Sequence, residues 1–161
     1  MNHLWKEVEH PIQSIELKIK KQLVELINEC FNYKHKSNYD IQSDLGIWNL
    51  LINKNKIYLI NFGEVRKGNN HFDIAAILSS TLKMNDEDYQ IITNLNEFRN
   101  GYLKHYNDFD WSILRENLNL WFIRGMLALI INQGINQSTQ VLLEKIMDQR
   151  NKFDGILMDH I

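Results

Sequence analysis

Proline and glycine, the residues that interrupt helices and strands most strongly, are scarce in this chain. Its 161 residues contain a single proline, Pro11, and seven glycines. Because few breakers leave few places for sharp turns, we expect long helices joined by short connections. The length suits one domain over residues 1–161, and an apolar content of 44% is sufficient for a hydrophobic core.

Apolar residues recur at helical spacing in several stretches of the chain. The first predicted helix starts at Pro11, which is tolerated at the first helical position, and it continues to Phe31. Cys30 lies on the apolar side of this helix and is predicted to be a core residue. Further helices are predicted from about residue 72, over residues 85–106 and 111–133, and around residues 141–153.

Two short apolar runs, residues 50–53 and 56–60, are separated by Lys54 and Asn55. This pattern predicts a β-hairpin, since asparagine tolerates the left-handed conformation that tight turns need. Residues 32–39 and 65–70 are polar and are predicted to be loops. The predicted fold class is therefore mainly α with a small β-hairpin (α+β).

Charge and cysteine content exclude several classes of function. The net charge is −2 and no basic stripe is present, so we expect no nucleic-acid partner. The longest apolar run, residues 120–131, contains Arg124 and is shorter than the roughly 20 residues that cross a bilayer, so we expect no membrane partner. The first nine residues lack a signal-peptide pattern, and one cysteine cannot form an internal disulfide. These features predict a cytoplasmic protein.

Polar residues cluster at the ends of the predicted hairpin. Asp44 and Asn49 lie just before the first strand, Asn61 follows the second strand, and Asp73 lies in the next helix. A rigid hairpin with polar residues at its ends is a common way to build a phosphoryl-transfer centre. It is equally common in hairpins that have no catalytic role.

The spacing of these residues follows the pattern of a known family. Residues 42–49 read Gln-Ser-Asp-Leu-Gly-Ile-Trp-Asn, residues 60–64 read Ile-Asn-Phe-Gly-Glu, and residues 68–75 read Gly-Asn-Asn-His-Phe-Asp-Ile-Ala. Asp44 precedes Asn49 by five positions, and Asn49, Asn61 and Asp73 follow one another at intervals of twelve. The chain thereby resembles the C-terminal lobe of the aminoglycoside phosphotransferase and choline kinase-like family, which has the protein-kinase-like fold.

The resemblance implies a role for each matched residue. Asp44 would take the proton of an acceptor hydroxyl as a general base. Asn49 and Asn61 would be the ligands of a Mg²⁺ ion that holds ATP. Asp73 would be a structural acid that accepts backbone hydrogen bonds from the catalytic loop. Gln42 stands where the family has a scaffold histidine, part of whose role glutamine could replace.

Besides Gln42, two further departures from the family pattern weaken the predicted activity. The family has aspartate where this chain has Asn61, and an uncharged amide should hold Mg²⁺ less well, although Glu64 could supply charge. The residues ahead of Asp44 predict helix and loop, and no glycine-rich loop occurs, so the N-terminal nucleotide-binding lobe is expected to be absent. We therefore expect a degenerate or incomplete small-molecule phosphotransferase lobe that acts as a binding or regulatory module, with weak or absent binding of Mg²⁺ and ATP.

Two other functions remain open. The chain could be an active ATP-dependent phosphotransferase for a small-molecule hydroxyl substrate, completed by an N-terminal lobe from another chain. It could also be a helical interaction protein whose resemblance is accidental. If the N-terminal lobe is absent, the apolar face that would contact it has to be buried from solvent by another protein surface. We therefore expect a homodimer or a partner chain on that face.

Each matched residue also has a plain structural interpretation. Asp44 could cap a turn, and Asn49 and Asn61 could be polar residues of the hairpin and its loop. Trp48 could line a substrate pocket or only cover the hairpin. His71 and His105 are interpreted as surface residues rather than metal ligands. The acidic residues at positions 86–88 and 108–110 are interpreted as helix caps rather than as a binding site for a cationic substrate.

Overall fold

A computed structural model describes residues 2–34, 38–82 and 85–159 of the chain. The fold is mainly helical, with two small antiparallel sheets. The helices are α1 (Asn2–Val8), α2 (Leu17–Cys30), α3 (Asn70–Thr81), α4 (Asp88–Tyr102), α5 (Trp111–Gln133) and α6 (Gln137–Met158). The strands are β1 (Tyr39–Ile41), β2 (Leu50–Asn53), β3 (Lys56–Leu59) and β4 (Arg66–Gly68). No described helix is both long enough and apolar enough to cross a membrane.

The chain forms two compact units. The first unit holds the described residues up to Tyr33 together with Asn119–Gly155, which include α1, α2 and most of α6. The second unit holds the described residues from Lys34 to Leu118 and those from Ile156 onward. All four strands, α3 and α4 belong to the second unit, so the residues singled out by the sequence motif lie within one unit.

A partly buried polar network joins α2, α5 and α6 in the first unit. Asn119 is 2% exposed and donates from Nδ2 to the hydroxyl of Tyr33 over 2.9 Å. The same hydroxyl donates to Glu29 over 2.6 Å, and Arg150 Nε donates to Asn119 Oδ1 over 2.8 Å. Burial, followed by the bond to Glu29, raises the pKa of Tyr33. Because a buried amide without partners would destabilise the fold, these bonds permit a polar residue in the core.

The two sheets of the second unit each contain two strands. β1 pairs with β4, with Asp40 opposite Lys67, and the Asp40 carboxylate and Lys67 ammonium lie 2.8 Å apart. β2 pairs with β3 to form a hairpin in which Leu50 lies opposite Leu59. The hairpin confirms the sequence prediction, although the positive φ of its turn falls on Lys54 rather than on Asn55.

The prediction of a continuous first helix from Pro11 to Phe31 was wrong. Residues Pro11–Ser14 form a single 3₁₀ turn, and α2 begins only at Leu17. Ile15 and Glu16 adopt extended backbone angles, with ψ of 147° and 136°, and these break the helix. The apolar spacing still predicted burial correctly, because a turn followed by a helix also directs Ile12, Ile15 and Ile19 inward. Cys30 is buried, as predicted.

The prediction of loops at residues 32–39 and 65–70 missed the sheet formed by β1 and β4. These strands have three residues each, Tyr-Asp-Ile and Arg-Lys-Gly. Three residues are too few to establish the alternation that identifies a strand, and the two partners are far apart in sequence. The β1–β4 sheet is important for the site because β1 leads directly into residues 42–49, which we call the candidate catalytic loop.

His71 is buried rather than on the surface, which corrects the sequence interpretation. Its side chain is 2% exposed, and Nε2 accepts a hydrogen bond of 2.9 Å from the backbone N–H of Asp110. Because Nε2 accepts, the neutral ring carries its proton on Nδ1, which lies 3.0 Å from Oδ1 of Asn70. His71 therefore ties the start of α3 to the segment that precedes α5.

Asp110 caps α5 and provides the first test of the fold. Its Oδ1 accepts bonds from the backbone N–H groups of Ser112 and Ile113 over 2.8 and 3.1 Å, and from the Ser112 hydroxyl over 2.6 Å. These donors, the Ser112 hydroxyl first, lower the pKa of Asp110. A carboxyl with a lowered pKa in the folded state stabilises the fold above its unfolded pKa, and this stability is lost as pH falls.

We expect Asp110→Ala to lower the free energy of unfolding at pH 7 by about 1 kcal/mol, because the helix loses its N-cap. Asp110→Asn, which keeps the acceptor oxygen, should lose less. The difference between wild type and Asp110→Ala should shrink as pH falls below about 4, the unfolded pKa, and should be lost once the folded carboxyl, whose pKa is lower, is protonated. Urea unfolding followed by circular dichroism measures these differences. Equal stability of wild type and Asp110→Ala at pH 7 would contradict the assigned cap.

Candidate functional site

The loop that follows β1 is held by Asp73, which lies in the first turn of α3. The two carboxylate oxygens accept hydrogen bonds from the backbone N–H groups of Gln42 and Ser43 over 2.7 and 2.8 Å. Gln42 and Ser43 are 5% and 1% exposed, so their N–H groups need partners within the protein. The position of the loop therefore depends on one carboxylate that the sequence motif singled out.

The environment of Asp73 affects its ionisation in two opposing ways. Burial raises the pKa of Asp73 above its ordinary value and is the largest influence on it. The backbone N–H groups of Gln42 and Ser43 and the positive charge of Arg66 act in the opposite direction. These donors and Arg66 therefore offset part of the cost of burying the carboxylate.

The side chain of Gln42 links the two halves of the motif. Its Oε1 accepts the backbone N–H of Asp44 over 2.7 Å, and its Nε2 donates to the backbone carbonyl of Asn61 over 2.9 Å. A neutral histidine also offers one donor and one acceptor, so glutamine can serve the same two partners. Gln42 thus joins the candidate catalytic loop to the residue that follows β3.

Asp44 and Asn49 are in direct contact. Asn49 is 4% exposed and donates from Nδ2 to both the backbone carbonyl and the Oδ2 atom of Asp44, over 2.7 and 3.0 Å. Trp48 Nε1 also donates to Asp44 Oδ2, over 3.1 Å. These bonds orient the amide of Asn49 so that its Oδ1 is the end that can bind a cation.

Asn61 lies beside Asn49 at the base of the hairpin. The backbone N–H of Ile60 donates to the carbonyl of Asn49 over 3.0 Å, which places the next residue, Asn61, at the same end of the sheet. Asn61 has φ of 60° and ψ of 70°, a left-handed conformation that asparagine tolerates better than most residues. Its side chain is exposed, and Glu64, three residues further on, is exposed as well.

Arg66 is a further contributor to the site that the sequence did not reveal. Its Nε donates to the hydroxyl of Ser43 over 2.7 Å, and its guanidinium lies 5.4 Å from the centre of the Phe72 ring. Ser43 has φ of 69°, an unfavourable angle for serine, so the bond from Arg66 helps to hold it there. Nothing in the sequence indicated this contact, because Arg66 lies in a segment that was predicted to be a loop.

Asp108 connects β1, α3 and α4 through hydrogen bonds of its side chain. Its carboxylate accepts bonds from the hydroxyls of Tyr39 and Tyr102 and from the amide of Asn70, the last over 3.0 Å. The Tyr39 hydroxyl, as the strongest influence, lowers the pKa of Asp108, whereas burial raises the pKa of Tyr102 to about 12. Asp108 therefore anchors the start of β1 and the start of α3. Asp110 caps α5, as the sequence interpretation of these acids predicted.

The donor set at the hairpin base fits Mg²⁺ poorly. Neither of the two predicted ligands, Asn49 and Asn61, carries a charge, and Mg²⁺ is normally bound through one or two carboxylates. Among the described residues, no group of three or more His, Cys, Asp or Glu side chains is arranged to hold a metal ion. The arrangement can orient a hydroxyl at Asp44, but it offers little charge to retain a metal.

Comparisons of the chain with family models, with curated proteins and with solved structures found no match. The resemblance to the aminoglycoside phosphotransferase and choline kinase-like family therefore rests on the residues of the motif, and membership in that family stays a hypothesis.

We expect Asp73→Ala to lower the free energy of unfolding by about 2–6 kcal/mol, since two buried N–H groups lose their acceptor at roughly 1–3 kcal/mol each. Asp73→Asn should lose about half as much, because the amide keeps one acceptor oxygen. Asp40→Ala is the matched control, since it removes an exposed carboxylate whose ion pair is worth about 0–1 kcal/mol. Urea unfolding measures all three variants, and equal losses for Asp73→Ala and Asp40→Ala would contradict the anchoring role.

Proposed function

We propose that the chain is a degenerate phosphotransferase-like lobe that acts as a binding or regulatory module with little turnover of its own. One observation carries this proposal: the loop around Asp44 is held by a set of hydrogen bonds, which we call the frame, whereas the side chain at position 61 carries no charge. Gln42, Asn49 and Asp73 all contribute bonds to that frame. An intact frame without a charged metal ligand supports binding or scaffolding better than catalysis.

In this proposal Asp44 is the group that would orient a hydroxyl of a small-molecule ligand. Its carboxylate is half-buried and held by side-chain donors from Trp48 and Asn49. A carboxylate in this setting can accept a hydrogen bond from a ligand hydroxyl and, in an active enzyme, its proton. Phosphoryl transfer depends mainly on positioning and on cations that offset the charge of the phosphates. The poor donor set for Mg²⁺ therefore argues for weak nucleotide binding.

The β2–β3 hairpin supports the proposal that another protein surface covers this region. Six of its apolar residues are between 36% and 74% exposed: Leu51, Ile52, Ile57, Tyr58, Leu59 and Ile60. We call this set the apolar hairpin surface. The strand register places Ile52 and Ile57 on one face and Leu51 and Tyr58 on the other. A two-stranded hairpin that exposes apolar side chains on both faces is marginally stable in water, and exposed apolar surface of this kind often marks an interaction site.

A second copy of the chain is the partner we propose for the apolar hairpin surface. The β2–β3 sheet has two strands, so the outer edge of each can pair with another strand. A second hairpin offers the same edge and the same apolar faces. Antiparallel pairing about a two-fold axis would also separate the two hairpin tips, which carry Lys54 and Lys56.

An active enzyme completed by another chain is the second candidate function. The observation that favours it is the direct contact of Asp44 with Asn49, which an active site of this kind would use. A partner rich in β-structure would then occupy the apolar hairpin surface and supply the nucleotide phosphates with a basic residue. The single cysteine of the chain, the buried Cys30, is compatible with the cytoplasmic location we propose in either case.

For nucleotide binding, we expect isothermal titration calorimetry to detect no saturable binding of micromolar ATP in the presence of Mg²⁺. Asn61→Asp should strengthen Mg²⁺ binding by about tenfold or more, since a carboxylate next to a divalent cation is worth at least about 1.4 kcal/mol. Aspartate tolerates the left-handed backbone at this position. Asn55→Asp, which adds the same charge at the hairpin tip, is the matched control. Tight wild-type binding of ATP would contradict the degenerate function, and a silent Asn61→Asp variant would argue against an active site in the isolated chain.

For self-association, we expect light scattering at high protein concentration to give a mass above the 19.2 kDa of one chain. Combined Ile52→Lys and Ile57→Lys substitutions should return the mass to that of a monomer, because they place charges in the apolar hairpin surface. Leu17→Lys is the matched control, since Leu17 is also 74% exposed but lies in the other unit. A monodisperse wild-type monomer under these conditions would exclude the homodimer.

A further inference from the structure

Trp48 contacts the carboxylate on which the proposed function depends. It lies in the 3₁₀ turn Ile47–Asn49, and its side chain is 55% exposed. Its Nε1–H donates to Asp44 Oδ2 over 3.1 Å, and Asn49 Nδ2 donates to the same oxygen over 3.0 Å. A carboxylate oxygen has two lone-pair sites, so two protein donors satisfy Oδ2.

The indole ring of Trp48 packs closely against the backbone of Gly46. A Cβ atom at Gly46 would lie 2.2 Å from the Cζ2 atom of Trp48, which is far closer than van der Waals contact allows. The backbone of Gly46, with φ of −89° and ψ of 168°, is one that any residue can adopt. Glycine is therefore needed here for the space that the ring occupies, and the loop sequence accommodates the contact between Trp48 and Asp44.

The two donors to Asp44 Oδ2 differ in how readily they can leave. Asn49 is 4% exposed and makes a second bond to the Asp44 carbonyl, so its displacement would break two bonds in a buried position. The indole of Trp48 is mostly exposed, so water can replace its bond at little cost. A ligand that needs Oδ2 would therefore displace Trp48 rather than Asn49.

We propose that Trp48 gates one oxygen of the candidate site: its indole N–H occupies Asp44 Oδ2, and the ring must move before Oδ2 can accept a hydrogen bond from an incoming hydroxyl. The gate rests on the proposed role of Asp44 in binding a ligand hydroxyl. It is an internal competitor, because the indole N–H and the hydroxyl are donors to the same acceptor. A ligand hydroxyl binds to Oδ2 only if the other contacts of the ligand compensate for the lost indole bond.

Carbodiimide labelling of carboxylates tests the gate without knowledge of the ligand. A water-soluble carbodiimide with glycine amide as nucleophile modifies accessible carboxyl groups, and peptide mass spectrometry gives the rate at each position. Trp48→Phe keeps a ring but removes the donor, and Gly46→Ala displaces the indole while it leaves Trp48 and Asp44 in the sequence. We expect both variants to label Asp44 about three- to tenfold faster than wild type, the factor that one hydrogen bond is worth. Asp40, an exposed carboxylate on β1, should be labelled at the same rate in all three proteins.

Indole NMR gives an independent readout of the same contact. In ¹⁵N-labelled protein, Trp48→Phe assigns the Trp48 indole signal, and Asp44→Ala should shift that signal and accelerate its exchange with water. The other indole signals, from Trp5, Trp111 and Trp121, should not move, which also establishes that the variant folds. Unchanged labelling of Asp44 in both loop variants, or an unmoved Trp48 signal in Asp44→Ala, would overturn the gate. Tight binding of ATP would contradict the proposed degenerate function but would change neither the labelling result nor the NMR result, so the two proposals can fail separately.

Discussion

The hydrogen bonds from two backbone N–H groups to Asp73 are the constraint on which the candidate site depends. They tie the end of β1 to the first turn of α3, at the point where the chain leaves the β1–β4 sheet. The N–H groups of Gln42 and Ser43 can no longer be satisfied by strand pairing once the sheet ends, and both residues are buried. A carboxylate with two oxygens satisfies both donors at once. Ser43 can then keep its positive φ, and Asp44 follows in a defined position.

The hydrogen bonds that shape the site at position 61 are made by backbone atoms, whereas the charge of the site depends on the side chain at that position. Gln42 reaches position 61 through the backbone carbonyl of Asn61, so this bond does not depend on the charge of the side chain at that position. The base of the hairpin is likewise closed by a backbone bond between Ile60 and Asn49. The geometry therefore does not require a charged residue at position 61. A chain with this frame can exchange aspartate for asparagine there, and what it loses is affinity for cations rather than the shape of the loop.

The sequence predicted the parts of the fold that repeat a pattern over many residues. The helix over residues 111–133 was predicted with correct bounds, and the hairpin was predicted with its second strand one residue too long, because their apolar periods extend over whole elements. The matched spacings also identified residues that meet in space, since the hairpin register brings positions 49 and 61 to one end of the sheet. The three-residue strands β1 and β4 repeat no pattern, and the bonds of Arg66 to Ser43 and of Trp48 to Asp44 depend on side-chain directions. Such contacts leave no periodic trace in a sequence.

The apolar hairpin surface and the candidate site both lie on the β2–β3 hairpin. Binding of a partner to that surface can therefore affect the position of the Trp48 indole at the site. The strands that expose Ile52 and Ile57 end, at their base, in Asn49 and Asn61. Trp48 is adjacent to Asn49 in the chain and is itself exposed. A protein that buries the hairpin down to its base would therefore contact the residue that holds Asp44 Oδ2. Association would therefore shift the indole, either toward its bond with Asp44 Oδ2 or away from it, in the direction of the conformation that the partner binds more tightly.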